Sequence, residues 1–176
     1  FYLCDILDRS SFQDVLEKER PSSIIHAAAL VMDRRSVDAP DEFIMHNALG
    51  TQRILSAVRE TDSVQNIVYI SSRSAVGEAK DQKTPMTEDD IPTPINPYGA
   101  SKLAAESFCC AFHENTGTPV SICRMQPMYG PRGRLDMMPR ILLENICSGR
   151  GIKKFGSDEA IRDWLFVSDG VEGVLA

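Results

Sequence analysis

Short apolar runs alternate with longer amphipathic stretches along this chain, and no other feature of the sequence constrains the fold as strongly. The three strongest runs are apolar on successive residues, as strands buried on both faces are; they cover residues 23–28, 66–71 and 120–125. A shorter run of the same kind covers residues 2–5. Strands of this type that are separated by helices form a parallel sheet with helices on both faces and right-handed crossovers. The sequence therefore predicts an α/β fold with a doubly wound parallel sheet.

The amphipathic stretches predict four helices with recognisable ends. Ser10 or Ser11 can cap the first helix, which ends before Pro21. The other three predicted helices cover residues 41–60, 97–115 and 136–148. Gly117 follows the third of the four helices and can end it in a left-handed conformation. Two short extended pieces are predicted at residues 152–155 and 164–167.

The charge, the apolar runs and the cysteine and histidine content of the chain argue against several classes of partner. The 176 residues carry 19 Lys and Arg against 25 Asp and Glu, a net charge of -6 that disfavours nucleic acid and anionic membranes as partners. No apolar run approaches the roughly 18 residues that span a bilayer. Five cysteines without a C-x-x-C pair and three widely separated histidines predict reduced thiols and no metal site. We expect a cytoplasmic protein of one domain or one and a fraction.

The pair Tyr98 and Lys102 is the sharpest chemical feature of the sequence. A spacing of four residues at the start of a helix places the phenol and the ammonium on one face. A nearby lysine charge in a partly dry site lowers the pKa of a phenol and makes it a usable base. A surface helix on which a tyrosine and a lysine happen to be four residues apart is the alternative.

Serine hydroxyls follow the predicted strand at residues 66–71. In Ser71-Ser72-Arg73-Ser74 they would emerge at the carboxyl edge of the sheet, where parallel sheets bind ligands. The helix that begins near Pro97 can point to the same edge, so a serine and Tyr98 could share a hydrogen bond to a substrate alcohol. The alternative is a polar strand end whose serines cap a turn. Ser, Tyr and Lys from separate elements favour the functional interpretation.

Seven short motifs in one order resemble those of the extended short-chain dehydrogenase/reductases, specifically the nucleotide-sugar epimerase/dehydratase group. They are Cys4-Asp5-Ile6-Leu7-Asp8, His26-Ala27-Ala28-Ala29, Asn47-Ala48-Leu49-Gly50-Thr51, the serine motif, Asn96-Pro97-Tyr98-Gly99-Ala100-Ser101-Lys102, Arg124 with Tyr129-Gly130-Pro131, and Arg162-Asp163-Trp164. Each motif alone is weak or moderate, but their common order over the whole chain is specific. The resemblance implies a Rossmann-like domain that binds NAD.

The resemblance also implies roles for individual residues. Those implied to contact NAD are Asp5, Ile6, Ala27, Ala28, Ala29, Asn47, Ser71, Tyr98, Lys102 and Met125. In the implied reaction the Tyr98 phenolate takes a proton from a sugar hydroxyl, hydride passes to NAD, and a transient keto sugar forms. Lys102 would lower the pKa of Tyr98 and hold the nicotinamide ribose, and Ser72 would hydrogen-bond the reacting oxygen. Ser72, Tyr98 and Lys102 are thus the implied catalytic residues.

The residues after Ser72 separate the branches of this group. Dehydratases carry an Asp-Glu pair there, whose Glu removes the proton next to the ketone, and the related decarboxylases keep that Glu. This chain has Arg73 and Ser74, which implies an epimerase that returns the hydride to the other face of the sugar. Residues 130–137 resemble a stretch of the UDP-glucuronate 4-epimerases. UDP-glucuronate or a related UDP-sugar is therefore the expected substrate.

Six residues are implied to contact the substrate: Arg34, Ser72, Ser74, Pro127, Arg134 and Arg162. Arginines suit a diphosphate and a sugar carboxylate, although Arg134 and Arg162 could equally pair with the chain's own Asp and Glu. Pro127 stands where relatives usually have Asn or Thr, Gln126 replaces a common aromatic residue, and Val76 stands where Tyr is usual. These departures leave the sugar open and leave room for an NAD(P)-dependent reductase.

The family's first strand and its G-x-x-G-x-x-G loop, which hold the pyrophosphate, do not occur in this sequence. We expect a partial sequence of a larger enzyme, incomplete at both ends. Residues 1–130 would be the NAD-binding domain, and residues 131–176 the start of a substrate-binding lobe with a return to the core. A truncated, non-catalytic protein is the alternative. The helices at 41–60 and 97–115 are compatible with a homodimer.

Overall fold

Three strands form the main sheet, in the order β1-β2-β3. They are β1 (Ser23–His26), β2 (Asn66–Ser72) and β3 (Val120–Met125). β1 and β2 run parallel, with Ile24 opposite Ile67 and His26 opposite Tyr69. This computed structural model describes residues 1–79, 84–151 and 161–176. The parallel sheet flanked by helices confirms the predicted α/β class.

The chain divides into two compact units, Phe1–Arg124 and Met125–Ala176. The helical elements of the first unit are α1 (Arg9–Glu19), α2 (Asp33–Asp38), α3 (Pro40–Phe43), a π-helical turn (Ile44–Leu49), α4 (Gly50–Val58), a 3-10 turn (Arg73–Ala75) and α5 (Pro97–Thr116). The second unit contains β4 (Met128–Tyr129), α6 (Met138–Cys147), β5 (Leu165–Phe166) and α7 (Val167–Leu175). The functional assignment of residues 1–130 and 131–176 stays a prediction.

The core of the first unit lies on one face of β2. Ile67, Tyr69 and Ser71 are buried on this strand, whereas the residues between them are only partly buried. The apolar side chains that pack together come from α1, α4, β2 and α5; among them are Leu16, Ile54, Leu55, Val58, Ile67, Tyr69 and Cys109. Burial of such side chains removes apolar area from water at roughly 25 cal/mol per Å². α5 is therefore fixed directly against the strand that ends in the serine motif.

The predicted strand at residues 2–5 is wrong. Leu3 is 96 % exposed, and no strand of the described chain pairs with this segment. A strand needs a neighbour to satisfy its backbone groups, and the Tyr2 hydroxyl instead bonds to Glu19 at the end of α1. β1 also ends at His26, two residues before the predicted end at 28. Its Ile25 is 50 % exposed, so burial on both faces is not observed for this strand.

The first helix is capped by Asp8 and not by the predicted Ser10 or Ser11. The Asp8 carboxylate accepts hydrogen bonds from the Ser11 amide at 3.2 Å and from both serine hydroxyls. These bonds, those of the Ser11 and Ser10 hydroxyls first, lower the pKa of Asp8 to about 2. An aspartate accepts more bonds at a helix start than a serine does, and this explains the difference.

The predicted helix at residues 41–60 is present, but a π-helical turn at Ile44–Leu49 interrupts it. The helix predicted at 97–115 is confirmed as α5, and Gly117 follows it with a φ of 75°, as expected. The helix predicted at 136–148 is shorter, Met138–Cys147. The extended piece at 164–167 narrows to β5, which pairs in parallel with β4. The piece predicted at 152–155 lies outside the described residues.

Candidate active site

The start of α5 lies directly against the serine motif. Asn96 caps the helix by accepting a hydrogen bond from the Gly99 amide at 2.8 Å, and Pro97 occupies the first turn, where its missing N–H costs nothing. A Cβ on Gly99 would lie 2.1 Å from the Ser74 carbonyl oxygen. Only glycine allows this approach, which brings the first turn of α5, with Tyr98, against the 3-10 turn that follows β2. The Tyr98 ring packs edge-on against Phe43 at 6.2 Å between ring centroids.

Lys102 lies one helical turn beyond Tyr98 and is 3 % exposed. Its ammonium donates to the Ile70 carbonyl at 2.6 Å and lies 4.3 Å from the centre of the Tyr69 ring. Burial is the main cause that lowers the pKa of Lys102 to about 8, against smaller raising effects of Cys109 and Glu106. A buried, ammonium-bearing side chain at this place is the electrostatic feature that a tyrosine base requires.

A buried ion pair lies one turn further along α5. The Glu106 side chain accepts hydrogen bonds from Arg124 of β3, the shortest at 2.8 Å. The Ser71 hydroxyl donates to the same carboxylate. Glu106 is 3 % exposed and Ser71 is 4 % exposed. The group implied at Ser71 to contact a cofactor is therefore engaged by a protein partner in this structure.

The two remaining serines of the motif hold the turn after β2. The Ser72 hydroxyl accepts a hydrogen bond from the Ser74 amide at 3.1 Å, which caps the 3-10 turn Arg73–Ala75. The Ser74 hydroxyl donates to the Asp33 carboxylate at 3.4 Å, from the start of α2. Ser72 thus caps a turn, as the alternative to a catalytic role predicted. It also lies at the end of β2, near the turn that contacts the start of α5. The catalytic role of Ser72, Tyr98 and Lys102 stays a prediction.

Asn47 connects the segment after β1 to α5. Its side-chain amide accepts from the Leu30 amide at 2.8 Å and donates to the Leu30 carbonyl and to the Ser101 hydroxyl, both at 3.0 Å. Ser101 in turn donates to the Tyr98 carbonyl at 2.7 Å. Asn47 is 1 % exposed. In this structure it therefore has a positioning role, and its implied contact with a cofactor stays a prediction.

A second buried polar group lies beneath Lys102. His26 at the end of β1 shares a hydrogen bond of 2.9 Å with the Thr51 hydroxyl, and its ring lies 5.3 Å from that of Tyr69. Burial first, and Lys102 second, lower the pKa of His26 to about 4, so this ring is neutral near pH 7. Burial is also the largest of the causes that raise the pKa of Tyr69. Within the described ranges the Tyr69 hydroxyl makes no hydrogen bond of standard geometry, although the Thr51 hydroxyl is close enough to act against the rise of its pKa.

The other residues implied to bind the cofactor lie at three places. Ala27 and Ala28 are exposed and Ala29 is half-buried, immediately after β1. The Asp5 carboxylate accepts from the Leu7 amide at 2.8 Å, and Ile6 packs on Gly50, where a Cβ would approach its side chain to 2.7 Å. Met125 belongs to the second unit. The first unit thus brings the small alanines to the sheet edge where β2 also ends.

The residues implied to bind substrate are divided between the two units. Ser72, Ser74 and the exposed Arg34 of α2 belong to the first unit, whereas Pro127, Arg134 and Arg162 belong to the second. Arg134 forms an ion pair with Asp136 at 2.5 Å, the surface pairing that the sequence left open for it. Arg162 donates to the neighbouring Ile161 carbonyl. The Pro127 carbonyl accepts from the Leu165 amide at 3.0 Å, joining β4 and β5.

Sequence reasoning did not single out Glu106 or Tyr69, and it named His26 and Thr51 as members of two motifs without giving either a role. Glu106 carried a usable signal, because it follows Lys102 by four residues and Tyr98 by eight and so shares their helix face. The burial of Tyr69 and His26 agrees with the buried strands predicted at 66–71 and 23–28, but the contact of the two rings and the bond of His26 to Thr51 follow from tertiary packing, which local patterns do not reveal. No helix in the described ranges is long and apolar enough to cross a membrane.

The whole chain, residues 1–176, matches the NAD dependent epimerase/dehydratase family. The parallel sheet, the Tyr98–Lys102 helix and the serine strand end define the same class, and the chain belongs to this family. A UDP-glucuronate 4-epimerase of Thermodesulfobacterium geofontis is 30 % identical over 177 residues, which cover 100 % of this chain and 54 % of the relative. A dTDP-glucose 4,6-dehydratase of Haemophilus influenzae is 28 % identical, over 98 % of this chain and 53 % of the relative.

Solved structures agree with this family. The UDP-glucuronic acid 4-epimerase of Bacillus cereus, crystallised with UDP-glucuronic acid and NAD, superimposes with a TM-score of 0.87 and 28 % identity. The match covers 98 % of this chain and 53 % of that enzyme. The chain therefore spans about half the length of the relatives it matches. Relatives include both epimerases and dehydratases, so they define a nucleotide-sugar epimerase/dehydratase without choosing between the two reactions.

Proposed function

We propose that the full-length protein containing this chain is an NAD-dependent 4-epimerase of a UDP-sugar, with UDP-glucuronate as the first candidate. One observation carries the proposal: Gly99 brings the first turn of α5, with Tyr98, against the turn after β2, and Lys102 is buried one helical turn behind Tyr98. In this role Tyr98 takes the proton of the sugar 4-hydroxyl and later returns it. The Lys102 ammonium lowers the pKa of the phenol so that it can act near neutral pH.

The residues present fit NAD as the cofactor. Ala27 and Ala28 are exposed and small, so the backbone after β1 is accessible to a flat, extended ligand. Tyr98 and Lys102 would hold the nicotinamide ribose, and Asp5 with Ile6 would hold the adenine end. When bound, the cofactor supplies a hydride acceptor that also gives the hydride back. The chain's own groups bind and orient the sugar and move its 4-hydroxyl proton.

The residues after Ser72 favour epimerisation over loss of water. Arg73 and Ser74 occupy the positions at which an elimination base would stand, and neither side chain is a carboxylate. Ser72 would donate to the reacting sugar oxygen. Arg34, Arg134 and Arg162 would bind the diphosphate and the sugar carboxylate, because guanidinium groups bind such anions through paired hydrogen bonds.

The test is turnover of UDP-glucuronate by the full-length protein with NAD, followed by NMR of the sugar. We expect its 4-epimer to accumulate to equilibrium without net change in NADH. Tyr98→Phe should reduce the rate about 10²- to 10⁴-fold, as the loss of a general acid-base group does. Tyr2→Phe is the matched control, since the Tyr2 hydroxyl bonds to Glu19 and its ring lies beside Lys18, both on α1 at the surface. Full activity in Tyr98→Phe would contradict the proposal.

Dehydration is the second candidate, and one observation favours it. The Asp33 carboxylate lies 3.4 Å from the Ser74 hydroxyl, so a carboxylate is present at this edge although it comes from α2. An elimination would yield a keto-deoxy sugar that is lighter by one water. Mass spectrometry of the product from dTDP-glucose distinguishes the two reactions. Net consumption of added NAD(P)H with a keto substrate would instead indicate the reductase alternative.

A further inference from the structure

Lys102 holds a charge in the interior, and the described structure provides one carboxylate to balance it. We propose that Glu106, clamped by Arg124, is a positioning residue for the reaction, whose negative charge keeps Lys102 protonated. This inference rests on the proposed function, because that function gives the Lys102 charge its purpose beside Tyr98.

Apart from Tyr98, which loses its proton in the proposed reaction, the immediate neighbours of the Lys102 ammonium are neutral. It donates to the Ile70 carbonyl and lies over the Tyr69 ring of β2. From β1 it faces His26, whose pKa is lowered to about 4 by burial, and from α5 it faces Cys109, whose pKa is raised to about 12 by burial. Neither carries a charge near pH 7. A buried ammonium surrounded only by neutral groups loses its proton readily.

Glu106 is the negative group of this set. Lys102 and Glu106 are four residues apart on α5 and both are 3 % exposed, so their side chains share one buried face. Among the residues that the structure describes, Glu106 is the only buried carboxylate. Water screens an interaction between two such groups much less than it screens a surface pair.

Two partners fix the Glu106 carboxylate. Arg124 of β3 contacts both of its oxygens, through Nε at 3.2 and 3.1 Å and through a terminal nitrogen at 2.8 Å. The Ser71 hydroxyl donates from β2, next to Ile70, whose carbonyl accepts from Lys102. The carboxylate therefore holds the strand residue adjacent to the one that binds Lys102. The Glu106 carboxylate is thus paired with Arg124 and lies one helical turn from Lys102. Removal of the carboxylate should lower the pKa of Lys102, whereas removal of Arg124 should raise it.

The experiment titrates Lys102 directly in the full-length protein. Lysine labelled with ¹³C at the ε carbon gives one NMR signal per lysine, and the signal lost in Lys102→Met identifies this residue. We expect Glu106→Gln to lower the pKa of Lys102 by about one unit or more, as the removal of a nearby opposite charge does. Glu114→Gln removes the same charge from the exposed surface of the same helix and should leave the pKa unchanged.

A change of opposite sign separates charge from mere packing. Arg124→Gln removes a cation and leaves the carboxylate, so the pKa of Lys102 should rise. Glu106→Asp keeps the charge and should restore most of the wild-type value. If both Glu106→Gln and Arg124→Gln lower the pKa, or neither moves it, the proposal is overturned. If Glu106→Gln fails to fold, the pKa of Lys102 in Arg124→Gln is the deciding measurement. The Arg124 side chain is 26 % exposed, so we expect this variant to fold.

The NMR titration of Lys102 does not depend on turnover. The proposed role of Glu106 can therefore be contradicted while the protein is an epimerase, and it can be supported while the protein is not. Kinetics supply the second readout. At high pH activity falls as Lys102 loses its proton, and this upper limb of the pH profile should move to lower pH in Glu106→Gln and to higher pH in Arg124→Gln. An unchanged limb in both variants would contradict the proposal even if the epimerase assignment is correct.

Discussion

Helices α5 and α6 differ in which side chains they bury, and their sequences do not predict this difference. α6 carries a regular apolar stripe, yet none of its residues is buried, and Ile146 is 67 % exposed. α5 buries Ser101, Lys102 and Glu106, three polar residues among the six that it buries. Apolar side chains are ordinarily the ones inside. A helix that buries polar groups instead does so against a stability cost, which is the pattern expected of a helix that carries functional residues.

The largest effect expected from this comparison is at Lys102. Replacement of Lys102 by Met should reduce turnover in the proposed reaction about 10²-fold or more, because the Tyr98 phenol loses its nearby cation. The same variant should not lose stability. Burial lowers the pKa of Lys102 from 10.5 to about 8, and each pH unit is worth about 1.4 kcal/mol. The charged side chain thus opposes folding by about 3 kcal/mol below pH 8, an opposition that disappears as the pH rises to 10.5.

Urea unfolding at pH 7 and at pH 10 measures this effect. The lost bond to the Ile70 carbonyl offsets part of the gain, so we expect Lys102→Met to be as stable as wild type or more stable at pH 7. A clear loss of stability would show that the buried ammonium contributes to folding, and the contrast between α5 and α6 would then fail.

His26 gives an effect of similar size with a dependence on pH. Its pKa is lowered from 6.5 to about 4, first by burial. Below pH 6.5 His26 takes up a proton in the unfolded chain, whereas in the folded chain it stays neutral until the pH falls to about 4. The free energy of unfolding should therefore fall by about 3 kcal/mol across this window as the pH drops. His26→Asn should flatten this part of the curve, whereas His113→Asn, at an exposed site of α5, should leave it unchanged.

Gly99 tests the close approach of α5 to the serine motif. An alanine there would place its Cβ 2.1 Å from the Ser74 carbonyl oxygen, so we expect a loss of about 1–3 kcal/mol in stability and a loss of turnover. Gly173→Ala in α7 is the control, because no atom lies within 4 Å of its added Cβ. That change should stabilise by about 0.5–1 kcal/mol. Equal results for the two glycines would contradict the packing described for Tyr98.

The smallest effect should be at α6. Because Ile146 is exposed, Ile146→Gln should alter the free energy of unfolding by less than about 0.5 kcal/mol. Leu55→Ala in the core of the first unit should cost about 2–5 kcal/mol under the same conditions. Denaturant titration of both variants measures the difference. A large cost at Ile146 would mean that α6 is covered in the full-length protein.

Local sequence signals predicted the elements best where those signals decide the structure. α5 begins at Pro97 and is followed by Gly117 as expected, because the cap, the proline and the left-handed glycine act within a few residues. The placement of Tyr98 and Lys102 one turn apart on this helix was predictable for the same reason, and their catalytic role stays a prediction. Residues 2–5 were not predictable in this way, because an apolar run becomes a strand only when a neighbour pairs with it.

The burial of Glu106 was also beyond local reasoning. Its partner Arg124 lies on β3, 18 residues along the chain, and Ser71 lies on β2, 35 residues away. Only the assembled sheet brings the three together. The same holds for His26 and Thr51, which are 25 residues apart in sequence. Local sequence signals thus place Tyr98 and Lys102, whereas the buried charges and hydrogen bonds around them depend on tertiary packing.

The π-helical turn at Ile44–Leu49 sets the rotation of α4 about the helix axis relative to α3. Upstream, Phe43 packs against Tyr98; downstream, Thr51 reaches His26. A π turn contains one residue more than an α turn, so this segment holds an extra residue within one turn and the flanking parts keep nearly the relative rotation of an uninterrupted α-helix. Deletion of one residue from 44–49 would let the segment close as an α turn with little change in that rotation, whereas an additional residue that takes α geometry would rotate the upstream part by about 100° relative to the downstream part. Phe43 and Thr51 could then no longer face their partners together, so the orientation of the Tyr98 ring depends on the number of residues in this turn as well as on their identity.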